Sequence, residues 1–264
     1  MTMKILLTGG TGGLGREVVR AAEAAGHTVR IASRRARPHD APPAREWAQM
    51  DVETGAGVPE ALESVDAVIH AASDPRRHAV VDVEGTRRLV QAARAAGTAH
   101  LVYVSIVGVD QIPFGYYRSK LAAEQIVAAG GVPHSILRAT QFHSFVDTMT
   151  AGAARVPLIL PLPATFRFQS VDTGEAAARF VRAAEDGPRG RLRDFGGPQV
   201  LTWGQMAAPW KSACGIRKPT VHLPLPGPLA AAFRAGKNTS DGERGTVHWD
   251  DWLTRSYPSG SPSR

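Results

Sequence analysis

The 264-residue sequence contains a single cysteine, Cys214, which leaves no internal disulfide and no cysteine-based metal cluster and points to a reducing compartment. Long apolar runs are also missing. Nothing approaches the roughly 18 residues a membrane helix needs, and Ile5-Leu6-Leu7 behind one lysine is too short for the core of a signal peptide. The expectation is a cytoplasmic chain with no membrane association. The histidines have no metal-ligand spacing, so no metal is expected. Acids are outnumbered, 24 Asp and Glu against 31 Lys and Arg, giving a formal net charge of +7 and a pI near 10.1. Such a balance invites a nucleic-acid reading. The positive charge is mostly arginine, however, and is scattered, with no run longer than a pair such as Arg34-Arg35, Arg76-Arg77 or Arg87-Arg88. That pattern argues for solvated surface and small anions rather than nucleic acid.

What is present is an alternation. Residues 4 to 140 switch between short apolar β-type runs and longer Ala-rich amphipathic runs, the pattern of a parallel sheet with crossover helices. Strands are expected at Lys4-Thr8, Thr28-Ser33, Glu46-Met50, Ala67-His70, His100-Ser105 and Ser135-Arg138. Helices are expected at Gly13-Ala25, Val58-Glu63, Val80-Ala96 and Tyr117-Ala128, with Gly26, Gly97 and Gly130 suited to left-handed caps. Capping-box spacing at Asp172-Glu175 and Thr202-Gln205 predicts helices over 175 to 186 and 203 to 213. The fold class is therefore α/β, a Rossmann-type doubly wound parallel sheet in one domain over 1 to 255. Residues 1 to 140 would form its cofactor part and 141 to 255 a smaller substrate-binding region. The Ser/Pro/Gly-rich stretch 256 to 264 reads as a disordered tail.

The most informative local motif is Thr8-Gly9-Gly10-Thr11-Gly12-Gly13-Leu14-Gly15, with Gly9, Gly12 and Gly15 at G-x-x-G-x-x-G spacing between a strand and a helix. Glycine allows a tight turn and a close approach of backbone N–H groups, and the helix N-terminus then faces a pyrophosphate. Thr8, Gly9, Thr11, Gly12, Gly13, Leu14 and Gly15 are thus candidate dinucleotide contacts. The second strand ends Ser33-Arg34-Arg35 without the acid that would take the ribose hydroxyls of NAD, so these residues predict NADP(H). Asp51-Val52 after the third strand and Ala71-Ala72-Ser73 after the fourth would lie along the cofactor as well.

Tyr116 and Lys120 fall one turn apart on a helix. A tyrosine is a poor proton donor at neutral pH unless a neighbouring cation favours its phenolate, and a lysine one turn away suits that task. The pair can protonate a carbonyl oxygen as hydride arrives. Tyr117 shares nearly the same face and competes for the role, with the spacing favouring Tyr116. Together with Tyr103-Val104-Ser105, Ile136-Leu137-Arg138-Ala139-Thr140-Gln141-Phe142, Gly196-Gly197-Pro198 and Gly245-Thr246-x-x-Trp249, these motifs resemble the short-chain dehydrogenase/reductase superfamily. The closer resemblance is to its atypical, NmrA-like NAD(P)H-binding branch, and it covers most of the chain. It implies Tyr116 as acid/base, Lys120 as the group that lowers the tyrosine pKa and holds the nicotinamide ribose, and Ser105 as a hydrogen bond to the substrate oxygen. One position departs from the family: an Asn used in a proton relay is replaced in Asp82-Val83-Glu84-Gly85-Thr86.

Gln141, Phe142 and His143 follow the sixth strand and are candidate substrate-pocket residues, His143 either as a second proton donor or as a structural histidine. Leu158-Ile159-Leu160-Pro161-Leu162-Pro163 with Phe166 and Phe168 could line an apolar pocket or pack as ordinary core. Trp249-Asp250-Asp251-Trp252 would anchor the C-terminal part. The expected activity is NADPH-dependent reduction of a carbonyl or quinone-like group on a small apolar molecule, by a monomer or homodimer. Two alternatives stand beside it: a dinucleotide-binding redox sensor without turnover, and a non-redox epimerase or lyase using the same site.

Overall fold

The computed structural model describes residues 2–39, 41–42 and 45–258. Its first half alternates β1 (Lys4–Thr8), α1 (Gly13–Ala24), β2 (Thr28–Ser33), β3 (Glu46–Gln49), α2 (Val58–Ala61), β4 (Ala67–His70), α3 (Thr86–Ala95), β5 (His100–Ile106), α4 (Gly115–Ala129) and β6 (His134–Ala139). All six strands run parallel in the order β3-β2-β1-β4-β5-β6. The chain winds outward from β1 to β3 and then restarts on the other side with β4. The crevice between β1 and β4 is therefore the topological switch point where open α/β sheets bind ligands.

Strands covered on both faces need continuous apolar sequence. Ile5, Leu6 and Leu7 in β1 and Val68 and Ile69 in β4 are fully buried. One face packs on α1 and on the later helix Thr173–Glu185 through Val18, Val19, Ala22, Phe180 and Val181. The other carries α2, α3 and α4 through Leu62, Leu89, Val90, Ala123 and Val127. Burying one such side chain contributes about 1.5–3 kcal/mol.

The second half supplies α5 (His143–Ala153), β7 (Leu160–Leu162), β8 (Arg167–Phe168), α6 (Thr173–Glu185), β9 (Gly190–Arg191), β10 (Phe195–Gly196), β11 (Leu201–Thr202), α7 (Trp203–Ala213), β12 (Thr220–His222), α8 (Pro228–Arg234), β13 (Glu243–Arg244) and α9 (Trp249–Ser256). Strands β9, β10 and β13 extend the main sheet beyond β6, while β7–β12 and β8–β11 form two small separate sheets. A further apolar cluster of Leu160, Leu162, Phe166, Phe168, Trp203, Trp210 and Trp249 holds this half together. The apolar run before residue 170 is thus largely ordinary core.

Several sequence expectations change. The helix expected from Val80 is split: Ala79–Gly85 is π-helical and only Thr86–Ala95 is α-helical. The left-handed residue after α4 is Gly131, at φ 71°, whereas Gly130 is right-handed at φ −76°. Gly130 is fixed by space instead, since a Cβ there would lie 2.1 Å from Val90 Cγ1. The Thr202–Gln205 capping box forms in full, but at α6 only Asp172 caps. Glu175 turns away to accept from Thr246 and Val247. Tyr257, placed in the expected tail, donates to Asp147 at 2.6 Å and belongs to the packed body, while 259–264 lie outside the described residues.

Candidate active site

The glycine turn is built by space as much as by conformation. Gly9 is left-handed at φ 72°, and a Cβ on it would lie 2.7 Å from Ala71 O. A Cβ on Gly15 would lie 2.2 Å from Gly9 O, so α1 can approach the turn only with glycine there. Gly12 forms the N-cap of α1 without a side-chain cap, and the first turn holds no acid. Free N–H groups and the positive end of the helix dipole are left facing outward, the environment an anionic phosphate requires. Nothing lies within 4 Å of a Cβ on Gly13, and Thr11 is exposed. Leu14 instead packs against the core. These observations fit a dinucleotide pyrophosphate.

Thr8, a candidate dinucleotide contact, turns its side chain inward. It is buried, its Oγ1 accepts from the N–H groups of Ala71 and Ala72 at 3.2 and 3.1 Å, and it bonds His70 Nδ1 at 2.7 Å. Thr86 spends its proton on Asp82 O at 2.6 Å, so at 2.9 Å it accepts from His70 Nε2. That fixes the histidine as the Nε2–H tautomer, with Nδ1 accepting from Thr8. Burial, with Lys120 nearby, holds His70 neutral, its pKa pushed down to about 3. The chain pins the ends of β1 and β4 together and orients the Ala71-Ala72-Ser73 segment.

At the end of β2, Ser33 Oγ accepts from Arg35 N. Arg34 is salt-bridged to Glu53 at 3.1 Å, and Arg77 binds the other oxygen of the same carboxylate at 2.5 Å. The Glu53 side chain is 11% exposed. An acid absent from the strand end is thus delivered from the loop after β3, a feature no spacing in the sequence announces. Asp51 Oδ1 caps that loop by accepting from Glu53 N, and Val52 packs beneath Gly85.

Helix α4 turns an unusual face to the sheet: Tyr117, Ser119, Lys120, Ala123, Glu124 and Val127 are all buried. Two ties hold it. Arg138 on β6 binds Glu124 through two bonds of 2.7 Å and Asp110 at 3.0 Å. Lys120 Nζ donates to Val104 O at 2.7 Å and lies 4.2 Å over the Tyr103 ring. Lys120 also faces Asp82 Oδ1 at 3.7 Å. Burial pulls the lysine pKa down to about 8 against the opposing pull of Asp82 and Glu124.

Tyr116 emerges from the first turn of α4 and meets Ser73 Oγ at 2.7 Å. Ser73 in turn donates to Asp82 Oδ1 at 2.6 Å, while Asp74 N donates to Oδ2 at 3.2 Å. A carboxylate only accepts, so the serine proton is committed to Asp82 and the tyrosine proton points at Ser73. The π-helical stretch is what aims Asp82 inward, where it is 1% exposed. Such bulges recur at functional sites.

The expected lowering of the Tyr116 pKa by Lys120 does not occur. Burial drives it well above 10, Asp82 adds to the rise, and the Ser73 bond offsets part of it. Lys120 is occupied by Asp82 and Val104, so its charge is largely neutralised before it reaches the phenol.

Ser105 is not brought to Tyr116 by any hydrogen bond. It is 2% exposed in β5 and its Oγ has no partner among the described residues. Ser73 stands beside the phenol instead. Tyr117 is buried and receives a bond from Gln141 Nε2 at 3.1 Å, with Asn238 Nδ2 donating to Gln141 Oε1 at 3.1 Å. Gln141 therefore borders the Tyr116–Tyr117 cluster. Phe142 is the N-cap of α5 and packs on the core. His143 is a structural residue rather than a pocket group: it is 1% exposed, Ser170 Oγ and Val247 O satisfy its ring nitrogens at 2.8 and 3.1 Å, and it packs on Trp249 and Trp252. A hollow of about 470 Å³ between α3 and α4 holds none of these residues.

Comparison with known proteins agrees with this geometry. The chain is 29% identical to a ceramide reductase from Caulobacter vibrioides over 98% of its own length and 89% of that protein's. It is 30% identical to a (4-alkanoyl-5-oxo-2,5-dihydrofuran-3-yl)methyl phosphate reductase from Streptomyces griseus, over 75% of this chain and 69% of the relative. Its fold superposes on an NADPH-dependent quinone oxidoreductase from Escherichia coli with a TM-score of 0.76 at 20% identity, covering 96% of this chain and 99% of the other. The NAD(P)H-binding family profile matches residues 9–154. The matched stretch takes in the glycine turn and the β4 side of the β1–β4 crevice, and the chain therefore belongs to the NAD(P)H-binding family.

Proposed function

We propose that the protein is an NADPH-dependent oxidoreductase that reduces a carbonyl or quinone-like group on a small apolar molecule, with Tyr116 as the proton donor. The observation that carries this reading is the line Tyr116–Ser73–Asp82–Lys120, which runs from the first turn of α4 to a buried ammonium. The two named reductases among the relatives support the reaction class.

The pyrophosphate of the cofactor would lie on Gly9–Gly15 and the N-terminus of α1, and its adenosine phosphate beside Ser33, Arg34 and Arg35. Asp51, Val52 and Ala71-Ala72 would border the adenosine half. When bound, the nicotinamide supplies the hydride. The protein supplies the proton. Burial and Asp82 keep the Tyr116 phenol protonated through the neutral range, and it gives that proton to the oxygen of the substrate. As the phenolate forms, Ser73 turns its own proton from Asp82 to the phenolate, Lys120, with a pKa of about 8, protonates the Asp82 carboxylate, and Asp82 passes that proton to Ser73. Each group ends as it began except Lys120, which is left neutral. Ser105 and Gln141 would face the substrate from β5 and from the end of β6.

The test is NADPH oxidation by the purified protein with a panel of ketones, aldehydes and quinones. Tyr116→Phe is expected to lower turnover by about 10²-fold or more, and Tyr117→Phe by far less. Full activity in Tyr116→Phe removes the assignment. NADPH binding without turnover on any of the panel turns the reading toward a sensor.

A further inference from the structure

Among the described residues, six of the ten exposed large apolar side chains fall in the segments 156–158 and 221–229. Strand β7 pairs in parallel with β12, Leu160 opposite Thr220 and Leu162 opposite His222. Leu160 and Leu162 point into the core, but residues 221–229, Val-His-Leu-Pro-Leu-Pro-Gly-Pro-Leu, are exposed without interruption. The strip presents Val156, Leu158, Val221, Leu223, Leu225 and Leu229 to solvent. Leu158 is 83% exposed and sits at φ 66°, a conformation that costs a branched residue and gains no packing here. Lys218 Nζ binds the carbonyls of Ala154 and Val156, and Arg234 binds Leu225 O, so both ends of the strip are fixed in place.

Charge makes the strip specific. From Asp147 to Asp172, and again from Asp194 to Asp241, the chain contains no Asp or Glu between those endpoints. The same two segments carry Arg155, Arg167, Lys211, Arg217, Lys218, Arg234 and Lys237. Arg155, Arg217, Arg234 and Lys237 are exposed. Bulky apolar side chains flanked by cations and free of acids match the chemistry of an anionic bilayer, where the leucines enter the headgroup region and the cations meet lipid phosphates. A nucleic acid would meet the charges but leave the leucines in water.

We propose that this β7–β12–α8 strip docks the protein on the surface of an anionic lipid membrane. The absence of a helix long and apolar enough to cross a bilayer bears on insertion and not on docking of this kind. Phe233 of α8 packs on Phe166 and Phe168 on one side and joins the Tyr116–Tyr117 cluster on the other. Docking would thus bring the site to the source of apolar molecules. The proposal stands on the surface alone and does not depend on the reaction.

The test is co-sedimentation of the full chain with phosphatidylcholine vesicles, with and without phosphatidylglycerol. Binding is expected with the anionic vesicles, falling steeply at about 1 M salt, where the screening length is about 3 Å. Arg155→Ala and Arg217→Ala should each weaken it about fivefold, and Leu158→Asp with Leu225→Asp should abolish it. Binding of NADPH by each variant checks that it has folded. Failure to sediment with anionic vesicles, or full binding by the Leu158→Asp, Leu225→Asp variant, overturns the proposal. So does a concentration-dependent dimer that the same two substitutions disperse, because the strip is then an interface between copies.

Discussion

Ser73 stands between Tyr116 and Asp82, 2.7 Å from the phenol and 2.6 Å from the carboxylate, and its single proton is committed to the acid. Asp82 therefore acts on the tyrosine through a bond as well as through space. Asp82→Asn removes a negative charge that opposes the phenolate, so the Tyr116 pKa should fall. Tyrosine titration by ¹³Cζ NMR measures this, with Tyr116→Phe assigning one of the four tyrosine signals. An unshifted Tyr116 in Asp82→Asn would show that the line is structural only.

Glu53 holds both Arg34 and Arg77, so it competes with any phosphate for them. Glu53→Gln should tighten binding of 2′,5′-ADP relative to ADP, and Arg34→Ala with Arg35→Ala should erase the preference for NADPH over NADH. Calorimetric titration of both nucleotides reads the ratio. An unchanged ratio in the double arginine variant would remove these residues from phosphate recognition.

His70 gives the stability a pH slope. Its folded pKa, about 3, lies below the ordinary value of 6.5. Between those values the unfolded chain binds the proton and the folded chain does not. The contribution is complete above pH 6.5 and is lost as pH falls toward 3. By pH 4.5 the loss from this one group is about 2–3 kcal/mol. His70→Asn should flatten that part of the slope in urea unfolding at pH 7 and 4.5, and an identical slope in the variant would count against the assignment.

The Arg138–Glu124 pair ties α4 to β6 and so sets the position of Tyr116. Glu124→Ala leaves a guanidinium that is largely buried with only Asp110 for company. The expected cost is about 3 kcal/mol in denaturant unfolding. A loss within the range of an exposed pair, about 0–1 kcal/mol, would contradict the buried geometry.

How much of this could be read from residues alone follows from the range of each interaction. The strands and α1 were legible because Ile5-Leu6-Leu7 and the glycine spacing are local signals; helical spacing put Tyr116 and Lys120 on one helix but did not show that Lys120 reaches Val104 and Asp82 while Tyr116 meets Ser73. Gly131 rather than Gly130 takes the left-handed cap, and what requires glycine at 130 is its closeness to Val90, a tertiary contact. Glu53 joins Arg34 to Arg77 from a separate loop, and His143 is claimed by Ser170, Val247 and Trp249, all distant in sequence. Asp82 was visible as a departure from a family pattern, but its aim at Ser73 depends on a π-helical turn that no periodicity signals.

That turn carries a consequence for the history of the chain. A π-helical bulge accommodates one extra residue without disturbing the helix that follows. Removing a single residue from 83–85 would restore a regular α-helix, leave α3 seated, and rotate everything before the deletion by about 100°. Asp82 would swing away from Ser73 while the fold survived. One codon thus separates a chain that holds an acid behind its tyrosine from one that does not, and relatives differing by that codon can share the fold without sharing the proton line.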